Sequence, residues 1–267
     1  MTWVIGTSSF AGYGVMLSDV QITFRNGDTR DILRKAYPIS NHVVAGFAGS
    51  VRTGFVLLQS LADFLHIPNE LSNTMAWEPL WIANNWPKIA RQVFENQPTE
   101  ERRLGSEILL VAIAPAEDRG APEFPKVYLL RFVGPQFRAG IVKTGFQAIS
   151  IGSGAGVAYY KQALKQLCRM SSGSHQAEVG RQFGWADLLC FSLARSAVEN
   201  PVSGVSQHFH VLAFNRSHML NVNSDHRTHA DDDTPPVEHR MPPVAESYDE
   251  FLAMCSNTNI EASGAIC

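Results

Sequence analysis

The chain has 267 residues, of which 45% are apolar and 18% charged, an ordinary globular composition that excludes disordered, collagenous and disulfide-scaffold classes. A formal net charge of −3 leaves no basic footprint for a phosphate backbone, so no nucleic-acid partner is expected. No apolar run reaches the ~18 to 20 residues that span a bilayer and Met1-Thr2-Trp3 does not open a secretory leader, so no membrane partner is expected and the cytoplasm is the expected compartment.

Thr2 to Thr7, a turn at Ala11-Gly12-Tyr13-Gly14, and Val15-Met16-Leu17 read as a hairpin whose second strand ends at Asp19. A second strand pair follows, Ala36 to Ile39 and Val43 to Ala48, around a polar turn at Ser40-Asn41-His42. Val51, Phe55, Leu58, Ala62 and Leu65 then step by three and four, the apolar stripe of a helix capped by Ser50 and ended at Pro68. A second helix carries Ile82, Trp86, Ile89 and Val93, with Pro87 inside it as a kink or a restart. Trp77, Trp81 and Trp86 could form an aromatic binding wall, but packing against the preceding helix is the favoured reading.

Three strand-like runs come next, Ile108 to Ala114, Lys126 to Phe132 and Phe146 to Ile151. Gly152-Ser153-Gly154-Ala155-Gly156 opens a helix with Val157, Tyr160, Leu164 and Leu167 on one side; as a dinucleotide fingerprint it is too fragmentary to carry weight. A helix from Gly184 to Glu199, apolar nearly all round with Trp185, Leu188, Leu189 and Leu193, precedes the strand His208 to Phe214. Beyond Val222 the composition turns acidic and Pro-bearing, which predicts a linker over Asp225 to Pro243, a short helix over Val244 to Met254 and a frayed end. The expected domains are therefore 1–221 and a C-terminal extension, 222–267. Strands and helices grouped in this way suit an α+β sandwich of two antiparallel sheets with helices on both outer faces, not a βαβ fold.

The chemistry begins with the residue after Met1. A threonine hydroxyl is a poor nucleophile without a base beside it, and an α-amine on the same residue, with a reference pKa near ~8, is such a base. Thr2 carries that amine once Met1 is trimmed. Thr2, Asp19 and Lys35 are separated by seventeen and sixteen residues. With Gly14 to Thr23, Lys35-Ala36-Tyr37-Pro38-Ile39, Val43 to Gly49 and the downstream Ile151-Gly152-Ser153-Gly154, this spacing resembles the N-terminal-nucleophile threonine peptidases of the proteasome β-subunit and HslV type. The resemblance spans roughly residues 2 to 215.

That resemblance implies a four-layer α-β-β-α sandwich, the Ntn-hydrolase fold, with Thr2 as nucleophile. Lys35, paired with Asp19, would lower the pKa of the Thr2 amine and hydroxyl by its charge. The Gly49 N–H would face the developing oxyanion, and Ser153 would orient the amine. Asn200-Pro201-Val202-Ser203-Gly204 stands where the family usually carries Asp-x-x-Ser-Gly, which adds Asn200 and Ser203 to the implied site but removes a charge. Arg34 could replace Lys35 with a one-residue shift, yet Pro38-Ile39 fits the family register only with Lys35. Ile22, Leu33, Phe47 and Val51 would line an apolar pocket for the side chain before the scissile bond, while Thr23, Gly49 and Val51 would pair with the substrate main chain.

The implied function is a threonine endopeptidase acting on polypeptide within a homo-oligomeric ring. Two alternatives stay open: an acylase acting on a small amide, and an inactive structural subunit that retains Met1. Any ATP-driven unfoldase would be a separate protein, because the chain has no GxxxxGK[ST]. No cofactor is expected. His226, His229 and His239 suggest a metal only by generic spacing, and His208 and His210 alternate on a strand, so no metal site is predicted. The four cysteines, Cys168, Cys190, Cys255 and Cys267, lie far apart without a CxxC and read as reduced thiols.

Overall fold

The computed structural model describes residues 2–8, 13–66, 78–114, 126–143, 147–173, 192–215, 219–223, 226–228, 237–258 and 261–267. Met1, Pro68, Trp77, Phe146, residues 184–191 with Trp185, Leu188, Leu189 and Cys190, and His229 lie outside them. The chain opens with β1 (Val4–Ser8) and β2 (Gly14–Asp19), then a short pair, β3 (Gln21–Thr23) and β4 (Thr29–Asp31). Next come β5 (Ala36–Ser40), β6 (Val43–Gly49), α1 (Val51–Leu65), α2 (Pro79–Glu95) and α3 (Thr99–Arg103). β7 (Ser106–Ile113), β8 (Val127–Val133), β9 (Arg138–Lys143) and β10 (Ala148–Ile151) lead to α4 (Ala158–Gly173). Helical residues 192–199 (α5), β11 (Phe209–Phe214), β12 (Met219–Asn223), β13 (His226–Thr228), β14 (Val237–His239) and α6 (Tyr248–Asn257) complete it.

Two five-stranded antiparallel sheets, ordered β10-β1-β2-β11-β12 and β5-β6-β7-β8-β9, form the centre. The two-residue alternation of strands decides what each side chain meets. On β1 and β2, Val4 and Met16 join Leu109, Val111 and Leu212 between the sheets. Their neighbours Ile5, Val15 and Leu17 face the other way, into a cluster with Tyr160 and Leu164 of α4 and Leu193 and Ala197 of α5. On β6, Val44 and Ala48 point inward, while Val43, Ala45 and Phe47 meet Leu57 and Leu61 of α1 and Ile82 and Trp86 of α2. Each fully buried large apolar side chain contributes roughly 1.5–3 kcal/mol, which sets the sheet faces and hence the layers. The result is the predicted α-β-β-α sandwich.

The first helix begins as the sequence predicts, with the Ser50 side chain accepting from the Thr53 N–H. Pro87 neither ends nor restarts α2, which runs unbroken from a Glu78 cap. Trp86 packs edge-on against Phe132 and Trp81 stacks on Phe64, so these two rings serve packing. β9 is a strand that the sequence pattern does not announce. It lies at a sheet edge with a single neighbour and carries Arg138, Gly140 and Lys143, so it lacks the clean alternation of a half-buried strand. No helix among the described residues is long and apolar enough to cross a membrane.

The expected linker and frayed end need correction. β13 and β14 pair antiparallel, bringing His226 opposite His239. Around Ala245 the chain returns to the sandwich: the Arg34 N–H donates to the Ala245 carbonyl at 3.0 Å, and the Ala245 N–H donates to the Ile32 carbonyl at 2.7 Å. Phe251 of α6 stacks on Phe24, and Ala265 and Cys267 are 1% and 3% exposed. Gly264-Ala265-Ile266-Cys267 has no periodicity of its own; its order comes from partners far back in the chain, Thr23, Gly49, Val51 and Glu101.

Candidate active site

Pairing of β1 with β2 sets Val4 opposite Ser18, which brings the residues just before β1 alongside Asp19. Asp19 donates its N–H to the Trp3 carbonyl at 3.1 Å, and its Oδ1 accepts from the Trp3 N–H at 2.8 Å. Trp3 is itself clamped by a stacked Tyr160 ring at 4.5 Å and an edge-on Phe209. Thr2 is thereby held at the end of the strand, fully buried beside the two charged residues that the sequence places with it.

The Asp19 and Lys35 side chains are both 0% exposed and pair at 2.8 Å. Thr2 Oγ1 donates to Asp19 Oδ1 at 2.5 Å and accepts from Lys35 Nζ. The third Lys35 donor reaches the Gln21 carbonyl at 2.5 Å, so the ammonium has a partner for each of its hydrogens. Asp19 Oδ2 accepts from the Gln21 N–H at 3.3 Å and the Ser206 N–H at 3.2 Å. A buried ion pair is tolerable only when its remaining lone pairs and protons are satisfied, and here they are. Arg34 takes no part: it pairs with Glu246 at 3.0 Å, outside the cluster.

Ser153 stands on the other side. Its Oγ accepts from the Thr2 N–H at 3.0 Å, and the Gly154 N–H donates to the Thr2 carbonyl at 3.0 Å. Gly152 makes this approach possible: its φ is +81°, and a Cβ there would sit 2.4 Å from the Thr2 oxygen. Gly49 is the same case at the junction of β6 and α1, with φ +101° and no room for a Cβ beside Gly105. Its N–H aims into the cleft between β3 and the β6–α1 junction, which the last residues of the chain enter, and donates to the main-chain oxygen of Cys267 at 2.7 Å.

The groups that the sequence reading assigns to substrate main chain all meet one segment. Thr23 exchanges two hydrogen bonds with Ile266, both 2.9 Å; Gly49 exchanges two with Cys267; the Val51 N–H donates to Ala265 at 3.1 Å. Ile22, Leu33, Phe47 and Val51 are buried in one apolar cluster that includes Cys267. Burial pushes the Cys267 thiol up to about 12, against the opposing pull of the Lys35 charge. Burial also raises Tyr37 and Tyr160, with the nearby Asp19 charge adding to the latter.

Two residues implied by the resemblance are not brought in. The Ser203 side chain is exposed, and no hydrogen bond joins the side chain of Asn200 or Ser203 to Thr2, Asp19, Lys35 or Ser153. Asn200 takes part through its carbonyl, which accepts from the Tyr160 hydroxyl at 2.8 Å behind Trp3. What this loop gives the site is Ser206, 2% exposed, whose N–H meets Asp19 and whose Oγ donates to Asp31 at 2.6 Å. Sequence reasoning missed Ser206, and nothing local marks it, since its contribution to Asp19 is a main-chain N–H. Among the described residues no group of three or more His, Cys, Asp or Glu side chains could hold a metal ion.

No protein-family model matches the chain, and no curated protein sequence is similar to it. Solved structures are similar in fold. Anbu (ancestral beta-subunit) from Yersinia bercovieri superposes with a TM-score of 0.58 at 13% identity, over 84% of this chain and 88% of that one. HslV from Trypanosoma brucei gives a TM-score of 0.47 at 16% identity, over 80% of this chain and 99% of that one. Together with the layer order, the likeness to Anbu identifies the Ntn-hydrolase fold.

Proposed function

We propose that the chain is a threonine endopeptidase of the proteasome and HslV type, with Thr2 as nucleophile after removal of Met1. The observation that carries this reading is the convergence of four groups on one residue: Asp19 and Lys35 on the Thr2 hydroxyl, Ser153 on its nitrogen and Gly154 on its carbonyl. A peptide entering as a strand between Thr23 and Gly49 would present its carbonyl carbon to Thr2 Oγ. The new C–O bond forms as the hydroxyl proton passes to the Thr2 amine, and the Gly49 N–H stabilises the oxyanion, a donor of a kind worth ~2.7–4 kcal/mol of barrier. The amine then protonates the leaving nitrogen as the C–N bond breaks, and water hydrolyses the acyl ester. Lys35 holds positive charge beside the attacking oxygen throughout, and Asp19 fixes its position.

By the same reading the substrate is polypeptide, the chain assembles as a homo-oligomeric ring in the cytoplasm, and an ATP-dependent unfoldase is a separate partner. The fold likeness to a protein described as an ancestral beta-subunit supports assembly of this kind. The test is reaction with a threonine-directed peptide electrophile, followed by mass mapping. The adduct is expected on the first peptide, at a Thr2 freed of Met1, and Thr2→Ala is expected to lower peptide hydrolysis by about 10³-fold or more. Unchanged hydrolysis in Thr2→Ala, or an intact mass that retains Met1, would overturn the reading.

A further inference from the structure

The segment that fills the cleft belongs to the chain itself. Ile266 is inserted between β3 and the junction of β6 with α1, bridged antiparallel to Thr23 on one side and to Ser50 on the other. Thr23, Gly49 and Val51 give this segment five main-chain hydrogen bonds of 2.7–3.1 Å, all with the polarity of an added β-strand. Cys267 places its oxygen on the Gly49 N–H and its side chain in the cluster with Ile22, Leu33, Phe47 and Val51. Its Sγ lies 3.4 Å from the Gly49 carbonyl and the residue is 3% exposed, so the space closes around a side chain of this size. A second anchor lies outside the cleft: the Gly264 N–H donates to Glu101 Oε1 at 3.3 Å, and Glu101 Oε2 accepts from Ser50 Oγ at 2.5 Å.

We infer that Ala265-Ile266-Cys267 is an intramolecular ligand of the cleft, bound as a substrate or product segment with Cys267 in the position before the scissile bond, and that the pocket selects small, uncharged side chains there. The words substrate and scissile rest on the function proposed above; the occupancy and the size preference do not. A strand in this position engages the oxyanion donor, so another peptide enters only by displacing it. Because the segment is tethered, its effective concentration is of millimolar order, and an external peptide competes at a matching disadvantage.

The experiment uses Thr2→Ala chains, so that binding is read without turnover, and a fluorescein-labelled Gly-Ala-Ile-Cys peptide followed by anisotropy. The peptide is expected to bind a chain ending at Ser263, and full-length Ile266→Pro, at least about tenfold more tightly than the unaltered tail allows. Ile266→Pro removes the N–H that Thr23 accepts while keeping Ala265 and Cys267 in place, and circular dichroism reports whether each chain is folded. A Gly-Ala-Ile-Tyr peptide is expected to bind at least about tenfold more weakly than the Cys peptide. Equal affinity for tail-bearing and tail-free folded chains overturns the occupancy, and equal affinity for Cys and Tyr peptides overturns the size preference. In the unaltered protein, Cys267 alkylation by iodoacetamide at neutral pH is expected to be slowed at least about tenfold against a denatured control, and an equal rate also overturns the occupancy. If the peptide binds as expected while no electrophile labels Thr2 in tail-free chains, the inference stands and the peptidase reading falls.

Discussion

Thr2 and Cys267 come from opposite ends of the sequence to the neighbourhood of one ammonium, that of Lys35, and are held there by different physics. Around Thr2 the contacts are made by named side chains: an ion pair at 0% exposure, a hydroxyl shared between its members and a serine on the nitrogen. Around Cys267 they are mainly main-chain bonds, which any extended peptide could make. The difference separates machinery from occupant. Groups that must not move are fixed by charge in a dry site, whereas a segment that can be exchanged is held by bonds that water or another strand can replace at ~0.5–1.5 kcal/mol each.

The strongest way to break this contrast is to remove one charge. Asp19→Asn leaves the Lys35 ammonium buried without a counter-charge, and breaking a buried pair from one side costs about 3–5 kcal/mol. Chemical denaturation should show that loss, along with a fall in reaction with electrophile. A cost below about 1 kcal/mol would mean that the pair is solvated and that the two ends of the chain are held alike.

The same contrast decides what was legible in the sequence. Thr2, Asp19, Lys35 and Ser153 could be read because their side chains stand in an order and at separations that resemble those of a known peptidase family, and the sandwich could be read because strands and helices come in groups, with apolar runs such as Val43 to Ala48 that are buried on both faces. Ser206 was not legible, since it gives Asp19 a main-chain N–H, which every residue but proline has. Nor was the placement of residues 264–267, whose partners Thr23, Gly49 and Val51 leave no pattern in the tail. Asn200 and Ser203 matched a motif in order, yet the loop turns Ser203 outward and uses the Asn200 carbonyl instead.

Docking of the tail can be sharpened by pH. The Cys267 thiol has an ordinary value of 9.0 and is pushed up to about 12 when buried, with Lys35 opposing and Asp19 reinforcing the shift. The docked state therefore binds the proton more tightly than the free one. Docking is at full strength below about pH 9 and is lost as pH rises toward about 12, by up to about tenfold per unit, or ~1.4 kcal/mol. Anisotropy of the Gly-Ala-Ile-Cys peptide on the tail-free Thr2→Ala chain should follow this course, and the serine version of the peptide should not. Matching alkaline losses for both peptides would assign the effect to the cleft and not to the thiol.

The smallest effect is expected where the family resemblance and the structure part company. Asn200→Asp restores the residue that the motif calls for, so if that position acted on the Thr2 amine the change would strengthen the base and raise kcat/KM well above tenfold. In the structure the position reaches the site only through its carbonyl on Tyr160, which the substitution leaves intact, while the Ser206 N–H and the Lys35 ammonium already meet Asp19. Asn200→Asp should therefore change kcat/KM by less than about threefold, or ~0.6 kcal/mol of barrier. Measured alongside Asp19→Asn with one peptide substrate, a small effect places the base's electrostatic control on the β2 side of the cleft. A tenfold gain would return it to the loop.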